Sequence, residues 1–187
     1  MHAVIVVDVQ NDFCEGGSLA ITGGTDVARA ISARLAEGGY AHSVVTRDHH
    51  IDPGSHFSDA PDFVDTWPVH CRVGTGGARL NEHLDTSTVE AVFDKGEYVA
   101  AYSGFEASSD GVALAAWLGE RGVESVEIMG LATDHCVRAT ALDAVRNGFA
   151  ATVRLDLTAG VARTTVEAAL AEMTAAGVRL DGQPVVR

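Results

Sequence analysis

Short runs rich in Val and Ile recur along the chain at Ala3–Val9, Ser43–Thr46, Val89–Phe93, Val126–Met129 and Thr152–Leu157. Each is predominantly apolar, short enough for a buried strand and bounded by Gly, Asp or Thr. Val178–Leu180 is a sixth, weaker run. Between them the period changes to helical. Val27, Ala30, Ile31 and Leu35 follow a Thr25/Asp26 cap, and Val112–Leu118, Val137–Val145 and Val166–Met173 repeat the pattern, with Gly24 and Gly111 reading as helix entrances. Strands alternating with helices predict an α/β fold, a doubly wound parallel sheet of about six strands with helices on both faces.

Residues 48–79 fit neither period. This stretch holds three of the four prolines and four of the eight histidines. A loop of that length in a compact domain usually carries function. No internal repeat, low-complexity tract or Gly/Ser linker divides the chain, so one domain over 1–187 is expected.

Charge and cysteine content narrow the function classes. A net charge of −13, from 13 basic against 26 acidic residues, disfavours nucleic acid as a partner. No apolar stretch reaches the ~18 residues of a membrane helix, and the N-terminal run is too short and lacks the basic flank of a signal peptide. Three cysteines cannot all pair, so reduced thiols and a cytoplasmic location are expected. The acidic surface offers no interface signal, which favours a monomer.

In an open parallel sheet ligands bind beyond the carboxyl ends of the strands. Those ends carry Asp8, Asp48, Asp94-Lys95 and the segment Gly130–Asp134 that leads to Cys136. An acid, a metal-type ligand, an amine and a thiol are thus expected on one rim. Lys95 is the only lysine, the other twelve basic residues being arginine. A compact ammonium can stabilise a carboxylate and a thiolate together, where a guanidinium is bulkier and keeps its proton. Cys136 is expected at a helix start, where free N–H groups and the dipole favour thiolate. Cys14 and Cys71 have no such position and read as small buried hydrophobes. Asp8, at the end of an apolar strand, reads either as the acid/base of the site, where desolvation would raise its pKa toward a useful value, or as a helix-capping carboxylate for a neighbouring loop.

A second constellation is Asp48-His49-His50, His56 and His70. Alternate residues of an extended segment face one way, so Asp48 and His50 converge while His49 points elsewhere. With His56 they form a mixed N/O set suited to Zn²⁺, Fe²⁺ or Mn²⁺, and His70 is a fourth candidate ligand. Phe13, Trp67 and Tyr102 follow the first three strand ends and are placed to wall a flat heteroaromatic pocket or to pack the loops.

The motifs Asp8-Val9-Gln10-Asn11-Asp12-Phe13, Asp48-His49-His50-Ile51-Asp52-Pro53-Gly54-Ser55-His56, Trp67-Pro68-Val69-His70-Cys71, Lys95-Gly96 and Ala132-Thr133-Asp134-His135-Cys136-Val137 resemble those of the nicotinamidases within the isochorismatase-like cysteine hydrolases. The resemblance extends over almost the whole chain. It implies Asp8, Lys95 and Cys136 as a catalytic triad and Asp48, His50, His56 and His70 as ligands of one divalent metal, with no organic cofactor. It further implies Phe13, Trp67, Tyr102 and His135 against the substrate ring, and a cis peptide before Ala132 that turns its N–H toward an oxyanion. The implied substrate is a small aromatic amide, nicotinamide first and pyrazinamide second. Three other functions compete. A sibling carbamoyl-amide or ureido hydrolase usually lacks the histidines, an isochorismatase generally lacks the cysteine, and a binding module would have lost turnover.

Overall fold

The computed structural model describes residues 1–186. Eight strands, β1 (His2–Val7), β2 (His42–Asp48), β3 (Ala91–Lys95), β4 (Ser108–Ser109), β5 (Val112–Ala113), β6 (Ser125–Leu131), β7 (Ala150–Ala159) and β8 (Arg179–Asp181), form one sheet in the order β5-β4-β3-β2-β1-β6-β7-β8. Six of them, from β3 across to β8, pair in parallel. The α-helices are α1 (Gly24–Ala36), α2 (Leu114–Glu120), α3 (Arg138–Arg146) and α4 (Arg163–Ala175).

Alternation along β1 divides the core. Ala3, Ile5 and Val7 pack in the cluster that includes α2, α3 and Met173 of α4, whereas Val4 and Val6 pack with Val27, Ala28, Ile31 and Leu35 of α1. Because successive side chains point to opposite faces, a run apolar at every position needs a helical layer on each side. Cys14 and Cys71 are fully buried in the α1-side cluster, as expected of small hydrophobes.

The predicted all-parallel sheet of six strands is corrected at one edge. β4 and β5 pair antiparallel through a hairpin whose two-residue loop, Asp110-Gly111, has positive φ at both positions (50° and 79°). An Asp-Gly pair suits such a turn. Gly111 is therefore a hairpin turn and not a helix entrance, and Val112, read as helical, lies in β5. Strands of two residues leave no periodicity for a sequence pattern to register. The α1 cap is also different. Gly23 is the N-cap in a left-handed conformation, Thr25 and Asp26 lie inside the first turn, and the Glu15 carboxylate accepts from Gly23 N–H (2.6 Å) and Thr25 N–H (2.8 Å).

β6 approaches β1 closely at Gly130, which pairs with Val7 at φ +126°. A Cβ there would lie 2.1 Å from the Val7 carbonyl oxygen. This contact sets the distance between the strand that leads to Asp8 and the strand that leads to Cys136. Gly130→Ala is expected to cost about 3 kcal/mol through overlap and backbone strain. Thermal unfolding should read that as a Tm lower by about 10 °C for a chain of this size.

Candidate active site

The residues singled out at the strand ends meet above the carboxyl edge of the central strands. Asp8 follows β1 in a left-handed conformation (φ 50°), which aspartate tolerates better than most residues, and its N–H donates to the Thr46 carbonyl at 3.1 Å. Asp48 and Lys95 end β2 and β3 and are register partners. Cys136 lies in a π-helical turn, Thr133–Val137, between β6 and α3. The Leu131–Ala132 peptide that opens this turn is cis.

Lys95 Nζ is the hub. It pairs with Asp8 Oδ2 at 2.9 Å and with Asp48 Oδ1, donates to Ala101 O at 3.3 Å, and lies 3.8 Å from Cys136 Sγ. Burial opposes its charge, yet Asp48 and Asp8 push its pKa well above the usual lysine range. For Asp48, burial likewise works against ionisation, but the Lys95 ammonium beside it holds it well below the usual carboxylate range. Burial dominates at Asp8 and raises its pKa. The carboxylates on either side of one ammonium are thus unequal, with the proton-accepting character at Asp8.

The expectation of a thiolate at Cys136 is corrected. Burial pushes the thiol's pKa well above its usual value, with Asp8 and Asp48 adding to the rise and Lys95 alone opposing it. Regular α-helix begins at Arg138, two residues later, so the thiol sits in the preceding turn and beside two carboxylates. That direction favours the protonated thiol, which needs a base to become nucleophilic.

His50, His56 and His70 form the second constellation, their ligand-capable nitrogens all within 4.8 Å of one another. His50 Nδ1 is 2.6 Å from the Gly96 carbonyl and His70 Nδ1 is 2.8 Å from the Pro68 carbonyl. A carbonyl only accepts, so both Nδ1 atoms carry the proton and both Nε2 lone pairs are free. His50 Nε2 and His56 Nδ1 are buried without a hydrogen-bond partner. Burial, with His70 and His50 nearby, pulls the His56 pKa down to about 4, which keeps it neutral. Asp48 Oδ2 faces His50 Nε2 at 3.6 Å and His70 Nε2 at 3.7 Å. Three imidazoles converging beside one carboxylate are a donor set that fits a divalent metal. His49 points away, 3.6 Å from Asp94, as the alternation argument expects.

The cleft above these groups measures about 560 Å³ including its mouth and is lined by Phe13, Leu19, Ala20, Ile21, Asp48, His56, Trp67, His70, Ala101, Tyr102, Ala132, His135, Cys136 and Val161. Trp67 Nε1 donates to Tyr102 Oη at 2.9 Å. The His135 ring meets Trp67 edge-on at 5.1 Å and stacks near Tyr102 at 6.4 Å, and Phe13 lies 5.5 Å from His70. Aromatic rings and the side chains of Asp48, His56, His70 and Cys136 share this lining.

Sequence reasoning missed several supports. The fully buried Gln10 amide accepts from Asp48 N–H and donates to Asp48 O, both at 2.8 Å, and donates to Ala78 O at 2.9 Å. It fastens Asp48 to the long loop. Its position two residues after Asp8 was the available signal. Phe57 packs on all three imidazoles, at 5.2 to 5.9 Å. Leu19, Ala20, Ile21 and Val161 reach the cleft only through the fold, and the donation of Thr46 Oγ1 to Asp8 Oδ1 (2.6 Å) likewise had no sequence signal.

Together these features define an α/β protein with a buried acid–amine–thiol set and an adjoining histidine cluster on the carboxyl edge of a parallel sheet. The chain belongs to the isochorismatase family, whose domain model matches residues 2–181. It is 60% identical to the nicotinamidase/pyrazinamidase of Mycobacterium tuberculosis over 182 residues, covering 96% of this chain and 98% of that protein. Among solved structures it resembles PnC1 from L. infantum in complex with nicotinate (TM-score 0.87, 35% identity, 100% and 96% of the two chains). It also resembles the pyrazinamidase of Pyrococcus horikoshii in complex with zinc (TM-score 0.82, 36% identity, 97% and 98%).

Gly96 (φ +77°) leaves room for His50, since a Cβ would lie 2.6 Å from the ring's Cε1. Gly96→Ala is expected to displace the imidazole and break its bond to the Gly96 carbonyl, lowering metal affinity by about 10-fold or more. Elemental analysis of purified variant against wild type checks this, and equal metal content would show that the ring does not depend on that glycine.

Proposed function

We propose that this chain hydrolyses nicotinamide to nicotinate and ammonia through a thioester on Cys136, and that it accepts pyrazinamide as a second substrate. The observation that carries this reading is Lys95 Nζ lying 2.9 Å from Asp8 and 3.8 Å from Cys136, which itself lines an aromatic cleft together with Asp48, His56 and His70. A flat ring with a carboxamide on one side and a lone pair on the other matches that layout. The names of the relatives support the same substrate class. One domain over 1–187, acting in the cytoplasm on a small molecule, completes the proposal.

Asp8 takes the proton from the Cys136 thiol as sulfur attacks the carboxamide carbon and the C–S bond forms. The oxygen becomes an oxyanion held by the N–H groups of Ala132 and Cys136, where each donor contributes about 10²–10³ in rate. The C–N bond breaks as nitrogen takes the proton from Asp8, and ammonia leaves. Water then attacks the thioester and gives a proton to Asp8, the C–S bond breaks, and the sulfur recovers its proton as nicotinate departs. Throughout, Lys95 stays charged, orienting Asp8 and balancing sulfur's negative charge. His50, His56, His70 and Asp48 would hold one divalent cation, Fe²⁺, Zn²⁺ or Mn²⁺, which supplies a Lewis-acid anchor for the ring nitrogen. Phe13, Trp67, Tyr102 and His135 hold the ring's faces and edges and keep bulk water out.

Cys136→Ala is expected to reduce ammonia release from nicotinamide by about 10⁴-fold or more while the metal stays bound. His50→Ala should lose the metal and raise KM. Ammonia assay and elemental analysis on the same preparations test both, and a metal-loaded wild type that releases no ammonia from either amide overturns the substrate assignment. A pH dependence follows from Asp8. It must be ionised to accept the proton, and burial raises its pKa above the usual 3.8. The acid limb of kcat/KM should therefore lie above that value, with activity falling as pH drops through it.

A further inference from the structure

Thr46 is fully buried on β2, in register with Val7 and therefore beside Asp8. It grips Asp8 twice, accepting its N–H at 3.1 Å and donating from Oγ1 to Oδ1 at 2.6 Å. The other carboxylate oxygen, Oδ2, has its ion pair with Lys95 at 2.9 Å but no hydrogen bond among the described residues, although it is buried. One oxygen is thus held from the β2 side and the other faces Lys95, whose ammonium lies 3.8 Å from Cys136 Sγ.

The hydroxyl is itself held in place. Threonine is stiff at χ1, and its methyl lies against Gly104, where a Cβ would approach Thr46 Cγ2 to 2.8 Å. Gly104 N–H donates to Thr140 Oγ1 of α3 at 2.9 Å, which fixes the backbone that the methyl rests on. A chain of contacts from α3 through Gly104 therefore sets the direction of the Thr46 hydroxyl and, through it, the plane of the Asp8 carboxylate.

We propose that Thr46 is the positioning residue of the catalytic base: its hydroxyl occupies Asp8 Oδ1 and presents Oδ2 as the oxygen that receives the Cys136 proton. The proposal rests on Asp8 acting as general base in the amidase reaction above. Thr46 touches no reacting atom. Its effect belongs in kcat, because a carboxylate turned out of plane slows proton transfer without changing how the cleft holds the ring.

The test compares metal-loaded wild type, Thr46→Val and Thr46→Ser in nicotinamide turnover, bound metal, and the rate at which iodoacetamide alkylates Cys136, the one cysteine that lines the cleft. Valine keeps the shape and removes the hydroxyl, and serine keeps the hydroxyl. The expected result for valine is a kcat at least about 10-fold lower with KM within about two-fold and metal unchanged, and alkylation about 10-fold slower. Serine should recover both rates to within about three-fold. If valine disturbs folding, Thr46→Ala against Thr46→Ser makes the same comparison. A valine variant that matches wild type in both rates, or a serine variant as impaired as valine, overturns the proposal, the second outcome making Thr46 a packing residue only. Absence of turnover in wild type refutes the amidase reading separately, and alkylation then decides the role of Thr46 by itself.

Discussion

A fully buried ammonium needs compensating charge, and at Lys95 that requirement organises the site. Taking an ion out of water costs several kcal/mol unless it is paired and hydrogen-bonded. Lys95 meets the cost with Asp8 from the end of β1, Asp48 from β2 and the Ala101 carbonyl from the segment after β3. Those partners come from three separate crossings of the sheet, so the ion network cannot form until β1, β2 and β3 are in register. Removing one partner would leave a buried charge exposed to low dielectric, a change worth about 3–5 kcal/mol. Chemistry and folding are therefore tied at this residue.

Asp48 carries the link from the acid–amine–thiol set to the histidines. One oxygen pairs with Lys95 and the other faces His50 and His70. Its backbone is clamped by Gln10, so the first and second strand ends and the long loop move as one unit. The loop's irregularity has the same origin. Residues 49–79 place His56, His70 and Trp67 around a cleft instead of continuing a helix or strand, and bridges such as Phe57 with Trp67 and His50 with Arg72 supply the backbone partners that a regular element would have provided.

The unequal carboxylates explain how a thiol can be both buried and usable. Were both acids fully ionised in the same way, the ammonium would be shared evenly and neither would take a proton near neutrality. Asp48, with two imidazoles beside it as well as Lys95, keeps its charge, whereas burial raises Asp8. The proposed acceptor is thus the carboxylate flanked by Thr46 rather than the one flanked by histidines. A thiol whose pKa is raised by burial needs such a base to become nucleophilic.

The sequence alone determined what repeats locally. Val- and Ile-rich runs such as Val4–Val7 and Val126–Met129, the latter interrupted only by Glu127, read as buried strands, and the strand ends located Asp8, Asp48, Lys95 and Cys136 on one edge. Alternation at Asp48-His49-His50 separated the inward from the outward histidine. Tertiary structure decided everything that depends on distant segments meeting. The β4–β5 hairpin has too few residues to show a period, and the Glu15 carboxylate caps α1 from nine residues before its first turn. Thr46, Gln10, Phe57 and Gly96 acquire their roles only from the neighbours that folding brings to them. The state of Cys136 shows the limit most clearly: its place in the chain favours a thiolate, but its pKa is governed by desolvation and by carboxylates from β1 and β2, and such long-range electrostatics leave no local pattern in a sequence.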